Sequence, residues 1–232
     1  MKYAYYPGCS LSSTGVEYGI STTAVAPLIG LELQEIEDWN CCGASSAHCT
    51  DHLLSVALPA RTLAQAEQMG LDIAVPCAGC FNRLRGAEAA LKNPAQKQKI
   101  QDAIGMEITG ASRSYSLLDL IVNQIGIDQI KTRVKKPLTG LKLASYYGCL
   151  LVRPLNITGF DDPENPQSMD RLMTALGGAA LNWPYKVECC GGGLAVPRTD
   201  VMLSMSYDII NIAKQAGADA IVTACPLCMV NL

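Results

Sequence analysis

Short apolar runs alternate along the chain with longer segments in which apolar residues recur every three or four positions. The short runs predict four β-strands, at Tyr3–Tyr6, Ile73–Pro76, Leu141–Tyr147 and Ala220–Ala224. The segments with helical spacing cover residues 51–69 and 199–216. A glycine follows each of them, Gly70 or Gly217, and favours helix termination. Strands that alternate with helices in this way predict parallel α/β units.

One cysteine motif occurs twice, in the order Cys, then Cys-Cys-Gly, then Cys-x-x-Cys. The paired segments are YYPGCSL and YYGCLL, NCCGASSA and ECCGGGLA, and VPCAGCFNRL and TACPLCMVNL. The cysteines of the last two pairs lie 148 positions apart, whereas those of the first pair lie 140 apart. The second copy therefore carries eight additional residues, which we place in the loop at residues 154–167.

Ten of the 11 cysteines follow this scheme. The first copy contains Cys9, Cys41, Cys42, Cys77 and Cys80, and the second contains Cys149, Cys189, Cys190, Cys225 and Cys228. Ligand sites in parallel sheets gather beyond the carboxyl ends of the strands, where these cysteines are predicted to lie. We therefore predict two α/β domains, residues 1–135 and 136–232, each with a cysteine cluster at one sheet edge. The basic segment at residues 131–140 is predicted as a solvated linker.

Composition narrows the classes of function. The 232 residues are 49% hydrophobic and 17% charged, which excludes a disordered chain, and the net charge of −3 disfavours nucleic-acid binding. No secretory signal and no apolar run of about 20 residues is found in the sequence, so we expect no membrane span. We expect a cytoplasmic protein, in which thiols serve metals or catalysis more often than disulfides.

Five thiolates per copy exceed the four that a zinc ion or a cubane cluster needs. A zinc ribbon is disfavoured because its ligands come as two Cys-x-x-Cys pairs, and each copy has one. Two adjacent cysteines suit two iron atoms of one cluster better than one tetrahedral ion. The fifth thiolate indicates either a bridging ligand or a cluster opened away from cubane geometry. We expect the amides of Gly43 and residues 191–193, and a helix that starts at Pro226, to stabilise these thiolates.

The duplicated motif resembles the cysteine-rich CCG domain pair, and the whole chain resembles the B subunits of heterodisulfide reductases. The segment between residues 159 and 193, GFDDPENPQSMDRLMTALGG…NWPYKVECCGG, carries this resemblance most strongly. Related CCG domains occur in glycolate and lactate oxidation systems and in fumarate reductase relatives. The resemblance implies two pseudo-symmetric Rossmann-like domains and two noncubane 4Fe–4S clusters, each held by the five cysteines of one copy.

The resemblance also implies an oxidoreductase that acts on sulfur groups. A small-molecule disulfide lies between the clusters in that family and is split, or formed in reverse, with one sulfur at each cluster. Electrons come from a ferredoxin-like partner, the C subunit, which draws on the flavin-containing A subunit. The family continues some tens of residues past its second Cys-x-x-Cys, whereas this sequence stops at Leu232. We therefore expect a truncated chain, in which either the second site is weakened or the clusters are absent from a truncated or aerobically handled preparation.

Two other functions stay open at this point. An electron-transfer module would relay electrons between a dehydrogenase and a quinone or another acceptor, without substrate chemistry. A zinc-stabilised scaffold would carry no redox function at all. The fifth cysteine in both copies favours catalysis over a relay, since a relay needs only four thiolates per cluster.

Several residues outside the ten cysteines are weaker candidates. His48 is a candidate proton donor to a product thiolate, with an ordinary loop residue as the alternative. Cys49 is predicted to be a small buried residue that is not a ligand. Three basic residues are candidates for binding an anionic substrate tail or are simple surface residues: Lys142, Arg153 and Lys186. Four tyrosines beside the first cysteine of each copy are predicted to pack in the core: Tyr5, Tyr6, Tyr146 and Tyr147. The acidic loop Asp161–Glu164 is predicted to face solvent or a neighbouring protein of the complex.

Overall fold

The computed structural model describes residues 1–44 and 46–232 and shows two compact units, Met1–Ser116 and Leu117–Leu232. Residues 117–135, which we predicted in the first domain, belong to the second unit. Each unit contains a parallel β-sheet of its own with helices between the strands. The predicted α/β class with parallel sheets is therefore confirmed.

The first unit is built on a sheet of four parallel strands in the order β2-β1-β3-β4. The strands are β1 (Lys2–Tyr5), β2 (Glu32–Glu35), β3 (Ile73–Val75) and β4 (Ser114–Ser116). The helices are α1 (Gly8–Leu11), α2 (Val16–Val25), α3 (Ala47–Thr50), α4 (His52–Met69), α5 (Ala78–Ala90) and α6 (Pro94–Ile104), with a 3-10 turn at Ala26–Ile29. Strand β3 is fully buried between β1 and β4. The chain therefore leaves β3 near the middle of the edge formed by the carboxyl ends of the strands.

Helix α4 shows why the predicted helix at residues 51–69 forms. The Asp51 carboxylate accepts a hydrogen bond of 2.7 Å from the Leu54 amide and so caps the first turn. The helix ends at Gly70, which adopts a left-handed φ of +67° and returns its N–H to the carbonyls of Ala66 and Glu67. The buried face carries alanines and Leu63, and the helix packs mainly against α5 and α6.

The second unit has a sheet of three parallel strands in the order β6-β5-β7. The strands are β5 (Lys142–Tyr146), β6 (Ala179–Ala180) and β7 (Ala220–Thr223). The helices are α7 (Leu117–Asp119), α8 (Ile127–Thr132), α9 (Leu155–Thr158), α10 (Ser168–Ala175), α11 (Thr199–Gln215) and α12 (Pro226–Asn231), with a π-helical segment at Leu120–Gly126 and a 3-10 turn at Gly192–Leu194. Strand β7 corresponds to β3 but lies at the sheet edge and is partly exposed.

Residues 131–140, which we predicted as a linker, lie inside the second unit instead. The segment begins in α8, and the Leu138 amide donates a hydrogen bond of 2.9 Å to the Leu176 carbonyl. Pro137 packs so closely on Gly177 that a Cβ there would lie 2.9 Å from the proline side chain. Backbone hydrogen bonding and close packing therefore hold residues 131–140 in the second unit, although the lysines of this segment predict only solvent exposure.

The insertion in the second copy is an ordered loop that carries α9. Asp161 accepts backbone hydrogen bonds from Asp162, Gln167 and Ser168, at 2.7 to 3.2 Å. The carboxylate of Asp162 accepts two more from Glu164 and Asn165, each at 2.8 Å. These acidic side chains therefore hold the loop and the start of α10 in place.

Candidate cysteine sites

The first site consists of the five repeat cysteines of the first unit, which follow the carboxyl ends of its strands. Cys9 lies in α1 after β1, the adjacent Cys41 and Cys42 lie between β2 and α3, and Cys77 and Cys80 open α5 after β3. Their sulfurs are close together. The Sγ atoms of Cys42 and Cys80 are 3.3 Å apart, and those of Cys9 and Cys41 are 3.8 Å apart. Cys77 interacts with the thiol of Cys80.

The second site repeats this arrangement in the second unit. Its members are Cys149 after β5, Cys189 and Cys190 before the 3-10 turn, and Cys225 and Cys228 at the start of α12. The Sγ atoms of Cys190 and Cys228 are 3.3 Å apart, the same distance as in the first site. Pro226 takes the first position of α12, as predicted, where its missing N–H costs no hydrogen bond.

Each site has a buried floor and an open rim. The floor is formed by the second cysteine of the adjacent pair and by both cysteines of Cys-x-x-Cys, all of them buried. The rim is formed by the two remaining cysteines, of which Cys9, Cys41 and Cys189 are exposed and Cys149 is half-buried. The rim sulfurs are therefore the ones within reach of a molecule in solution.

Two glycines make room for the floor sulfurs. Gly8 has φ +70°, and a Cβ on it would lie 2.9 Å from the Cys80 sulfur. Gly148 has φ +68°, and its Cβ would lie 3.2 Å from the Cys228 sulfur. A side chain at either position would strain the backbone and fill space beside the sulfur. The signal that finds these glycines is their place one residue before the first cysteine of each copy.

Backbone amides point at one rim sulfur in each site. The Gly43 amide donates to the Cys41 sulfur at 3.4 Å, and the Gly191 amide donates to the Cys189 sulfur at 3.3 Å. Together with hydrogen bonds from neighbouring thiols, these amides stabilise a thiolate. The hydrogen bond from the Cys149 thiol, above all, lowers the pKa of Cys189 to about 6, while the pKa of Cys149 is raised. Thiol hydrogen bonds from Cys42 and Cys9 lower the pKa of Cys41 strongly.

The donor set suits an iron–sulfur cluster in each unit. Five thiols share one sheet edge, at least one of them favours the thiolate, and amides and glycines surround the sulfurs at close range. Within residues 1–44 and 46–232, no three His, Cys, Asp or Glu side chains are spaced to hold a single metal ion.

The cysteine-rich domain family designated CCG matches residues 3–85 and again residues 143–232. The chain belongs to the CCG family. The two matched segments contain all ten repeat cysteines, which confirms the duplication inferred from the cysteine spacing.

Curated CCG relatives align over the whole chain. The 8-methylmenaquinol:fumarate reductase membrane anchor subunit of Wolinella succinogenes is 38% identical over all of this chain and 81% of its own length. A protein of Archaeoglobus profundus that is named as similar to the B subunit of heterodisulfide reductase is 28% identical, also over all of this chain and 81% of its own length. The B subunit of a Methanosarcina acetivorans heterodisulfide reductase is 27% identical over 98% of this chain and 78% of its own length. The predicted resemblance to heterodisulfide reductase B subunits is thus confirmed.

A solved structure shows the same fold. The crystal structure of a hypothetical protein from Helicobacter pylori matches 99% of this chain with a TM-score of 0.72 at 12% identity, and the match covers 42% of that protein. Within the described part of the chain, no helix is both long enough and apolar enough to span a bilayer.

Buried tyrosines hold the loops that carry the adjacent cysteines of each site. The Tyr6 hydroxyl donates to the Asn40 carbonyl at 2.7 Å, and the Tyr146 hydroxyl donates to the Glu188 carbonyl at 2.6 Å. The ring of Tyr6 also packs edge-on against Trp39 at 5.6 Å. Burial, with the nearby thiols, raises the pKa of both tyrosines well above the usual value. The predicted core role is confirmed, and the bound carbonyls add a function that the sequence does not indicate.

The basic candidates have structural partners in the second unit. Lys186 is buried and donates to the Asp170 carboxylate at 3.2 Å, and Asp170 also accepts from the Tyr147 hydroxyl at 2.7 Å. Arg153 donates to Glu164 and to the Pro163 carbonyl, both at 2.8 Å, and so anchors the inserted loop. Lys142 is exposed at the start of β5.

The two candidates beside the first adjacent pair are both exposed in α3. Cys49, which we predicted to be buried, is exposed because its side of the short helix faces solvent. The Nδ1 atom of His48 lies 3.3 Å from the guanidinium of Arg83, a residue that sequence reasoning missed. Arg83 follows Cys80 by three residues on α5, so its helical spacing would have placed it near the site.

Proposed function

We propose that this protein is an iron–sulfur redox subunit that cleaves a small-molecule disulfide reductively, or forms it in reverse. The observation that carries the proposal is the duplicated five-thiol site, with three buried and two rim cysteines in each unit. In this function the ten repeat cysteines are the ligands of two noncubane 4Fe–4S clusters. Such clusters supply one-electron transfer and an iron that binds sulfur when they are present.

The residues of each site prepare it for this chemistry. The buried floor cysteines exclude water from one side, and the glycines at positions 8 and 148 let the chain pass the sulfurs closely. The amides of Gly43 and Gly191 stabilise negative charge on a rim sulfur, where a substrate thiolate would leave. Two sites for one-electron chemistry match the two electrons that an S–S bond takes up, with one sulfur product at each site.

The relatives that are named after the B subunit of heterodisulfide reductase support a complex of several different proteins for this reaction. We propose a cytoplasmic complex in which a ferredoxin-like protein supplies electrons and a flavin-containing protein feeds that partner. Nothing in the composition favours nucleic acid as a partner, since the net charge is −3.

A relay without substrate chemistry is the second candidate. The relative at 38% identity is named as part of a fumarate reductase that uses a menaquinol, which favours electron transfer between a quinol and a dehydrogenase. The two functions differ in what reaches the rim cysteines. Disulfide chemistry needs a substrate sulfur there, whereas a relay needs only electron transfer through the site.

The first experiment measures iron, acid-labile sulfide and zinc in protein purified without oxygen. We expect about eight iron and eight sulfide per chain, from two four-iron clusters. Zinc near two with no sulfide would overturn the redox function. The loaded protein is then titrated with hydroxyethyl disulfide and, separately, with a water-soluble quinone, while the cluster spectra are recorded.

If the protein cleaves disulfides, the cluster spectra should change when the disulfide is added, and the protein should turn the disulfide over. Cys225→Ser should abolish this turnover, while dye-linked reduction of the first site survives. Cys49→Ser, which changes a thiol outside both sites, is the matched control and should turn over normally. Oxidation by the quinone alone, with no response to the disulfide, would assign the relay function instead.

A further inference from the structure

Two matched positions carry different charges in the two sites. The repeat places Arg83 and Asn231 in the same position, 148 residues apart and three residues after the last cysteine of each copy. It places Asn40 and Glu188 in another shared position, directly before the adjacent cysteines. The first site therefore has an arginine and a neutral amide where the second has a neutral amide and a carboxylate. The difference is two unit charges, and both contributions have the same sign.

Arg83 places a positive charge beside the first site. Its half-buried guanidinium lies 3.4 Å from the Ala44 carbonyl and 3.3 Å from His48 Nδ1, and both residues belong to the segment that follows Cys41 and Cys42. Among the described residues, no carboxylate forms an ion pair with it. The nearby Arg61, by contrast, is paired with Asp38.

Asn231 makes a neutral contact in the second site. Its side-chain amide donates to the Cys190 carbonyl at 3.0 Å and lies 3.8 Å from the Cys190 sulfur. Glu188 is exposed next to Cys189, and no cation pairs with it in the described part of the chain. In the first site the Asn40 amide donates instead to the carbonyls of Cys41 and Leu58.

Charge close to an iron–sulfur cluster shifts its reduction potential, since an added electron is stabilised by a cation and destabilised by an anion. The Asn231 contact acts in the opposite direction, because a hydrogen bond to sulfur raises the reduction potential of the second site. At 3.8 Å that contact is weak, whereas the two sites differ by two unit charges, one on the half-buried Arg83 and one on the exposed Glu188. Solvent exposure works with the charges, since the rim cysteine Cys9 is exposed and its counterpart Cys149 is half-buried.

We infer that the two sites are electrically unequal, that the first has the higher reduction potential, and that Arg83 and Glu188 set the difference. The inference rests on the proposed function, since it requires a cluster in each unit. Its consequence is an order of reduction: the first site accepts its electron before the second. Arg83 and Glu188 act on the sites by charge alone, so they are tuning residues and not ligands.

The test exchanges the matched residues and measures both midpoint potentials by redox titration followed by electron paramagnetic resonance. The wild-type protein should show two resolved potentials. Arg83→Asn should lower only the higher one, and Asn231→Arg should raise only the lower one. Glu188→Asn should also raise only the lower one, so that the double change Arg83→Asn with Glu188→Asn closes most of the gap.

Arg83→Lys separates charge from structure. It should keep the wild-type potential, because the charge remains although the guanidinium geometry is lost. Equal potentials in the wild type, or a potential that falls as far in Arg83→Lys as in Arg83→Asn, would overturn the inference. If Arg83→Asn fails to load, the changes at positions 188 and 231 give the same answer from the other site. Iron and sulfide content separate the two ideas: clusters that are present but do not respond contradict this inference alone, whereas absent clusters contradict the proposed function.

Discussion

The hydroxyl of Tyr146 donates a 2.6 Å hydrogen bond to the backbone carbonyl of Glu188, the residue that precedes the adjacent cysteines of the second site. Tyr6 makes the same bond to Asn40 in the first unit, at 2.7 Å. Both rings are fully buried under the loops that they hold. The bond thus ties a core residue at the end of the central strand to the loop that positions two thiols.

We expect Tyr146→Phe to destabilise the protein by about 1–3 kcal/mol, because a partly buried carbonyl loses its donor. Unfolding by urea, followed by circular dichroism, measures this change. Tyr5→Phe is the matched control: the Tyr5 hydroxyl is buried without a hydrogen-bond partner in the described residues, so its removal should leave stability unchanged or slightly raised. Equal losses from the two changes would show that the hydrogen bond to Glu188 contributes nothing specific.

The glycine beside each floor sulfur gives a second prediction. Gly8→Ala should destabilise the first site by more than backbone strain alone, since the new Cβ would lie 2.9 Å from the Cys80 sulfur. We expect iron bound per chain to fall by about half, with the second site intact. Iron analysis and unfolding measurements on the same preparation check both effects.

Two other glycines separate the causes of that loss. Gly70 has φ +67° and open space around it, so Gly70→Ala should show the cost of strain alone and keep its iron. Gly86 lies in α5 with open space and no left-handed φ, so Gly86→Ala should be neutral or stabilising by up to about 1 kcal/mol. Iron loss in Gly70→Ala equal to that in Gly8→Ala would contradict a role for contact with the sulfur.

Much of this arrangement could be predicted because the sequence carries the same pattern twice. The constant offset of 148 groups the cysteines, and the strand patterns place them at the carboxyl ends of strands, where the structure has them. Strand β5 is shorter than the predicted run by one residue at each end, and β7 is shorter by one residue at its carboxyl end. The local pattern suffices for β5 because this strand lies between β6 and β7 and its residues 143–146 are buried.

The remaining features depend on contacts between distant segments. Strand β4 carries two serines and a tyrosine, and only its position beside β3 makes it a strand. Residues 117–132 show apolar positions, yet their sequence does not indicate to which of the two units they belong. The exposure of Cys49 follows from the orientation of the short α3, which no periodicity predicts.

A third prediction concerns thiol reactivity in the metal-free protein. A group whose pKa is lowered is deprotonated above that pKa, so Cys189, at about 6, should be a thiolate at pH 7. The raised pKa of its partner Cys149 keeps that thiol protonated. Iodoacetamide should therefore modify Cys189 before Cys149, with a rate that rises through pH 6 and then levels off.

Peptide mass spectrometry of the modified protein measures these rates. The experiment uses a Cys49→Ser background, which removes the exposed thiol outside both sites. Cys149→Ala removes the thiol whose hydrogen bond lowers the pKa of Cys189 most, and it should shift the rate profile of Cys189 to higher pH. Faster modification of Cys149 than of Cys189 at pH 7 would contradict the assignment of the thiolate.

The buried ion pair beside the inserted loop gives the last prediction. Lys186 and Asp170 are both buried, and the carboxylate also accepts from Tyr147. Lys186→Met should cost about 3–5 kcal/mol, because the Asp170 charge then stays buried without its cation. The double change Lys186→Met with Asp170→Leu should recover most of that loss, since it removes both charges.

The exposed pair of Arg198 and Asp200 is the matched control, and Arg198→Ala should leave the urea midpoint unchanged. If Lys186→Met also leaves that midpoint unchanged, the buried pair does not stabilise the loop, and the anchor of the insertion must lie with Arg153.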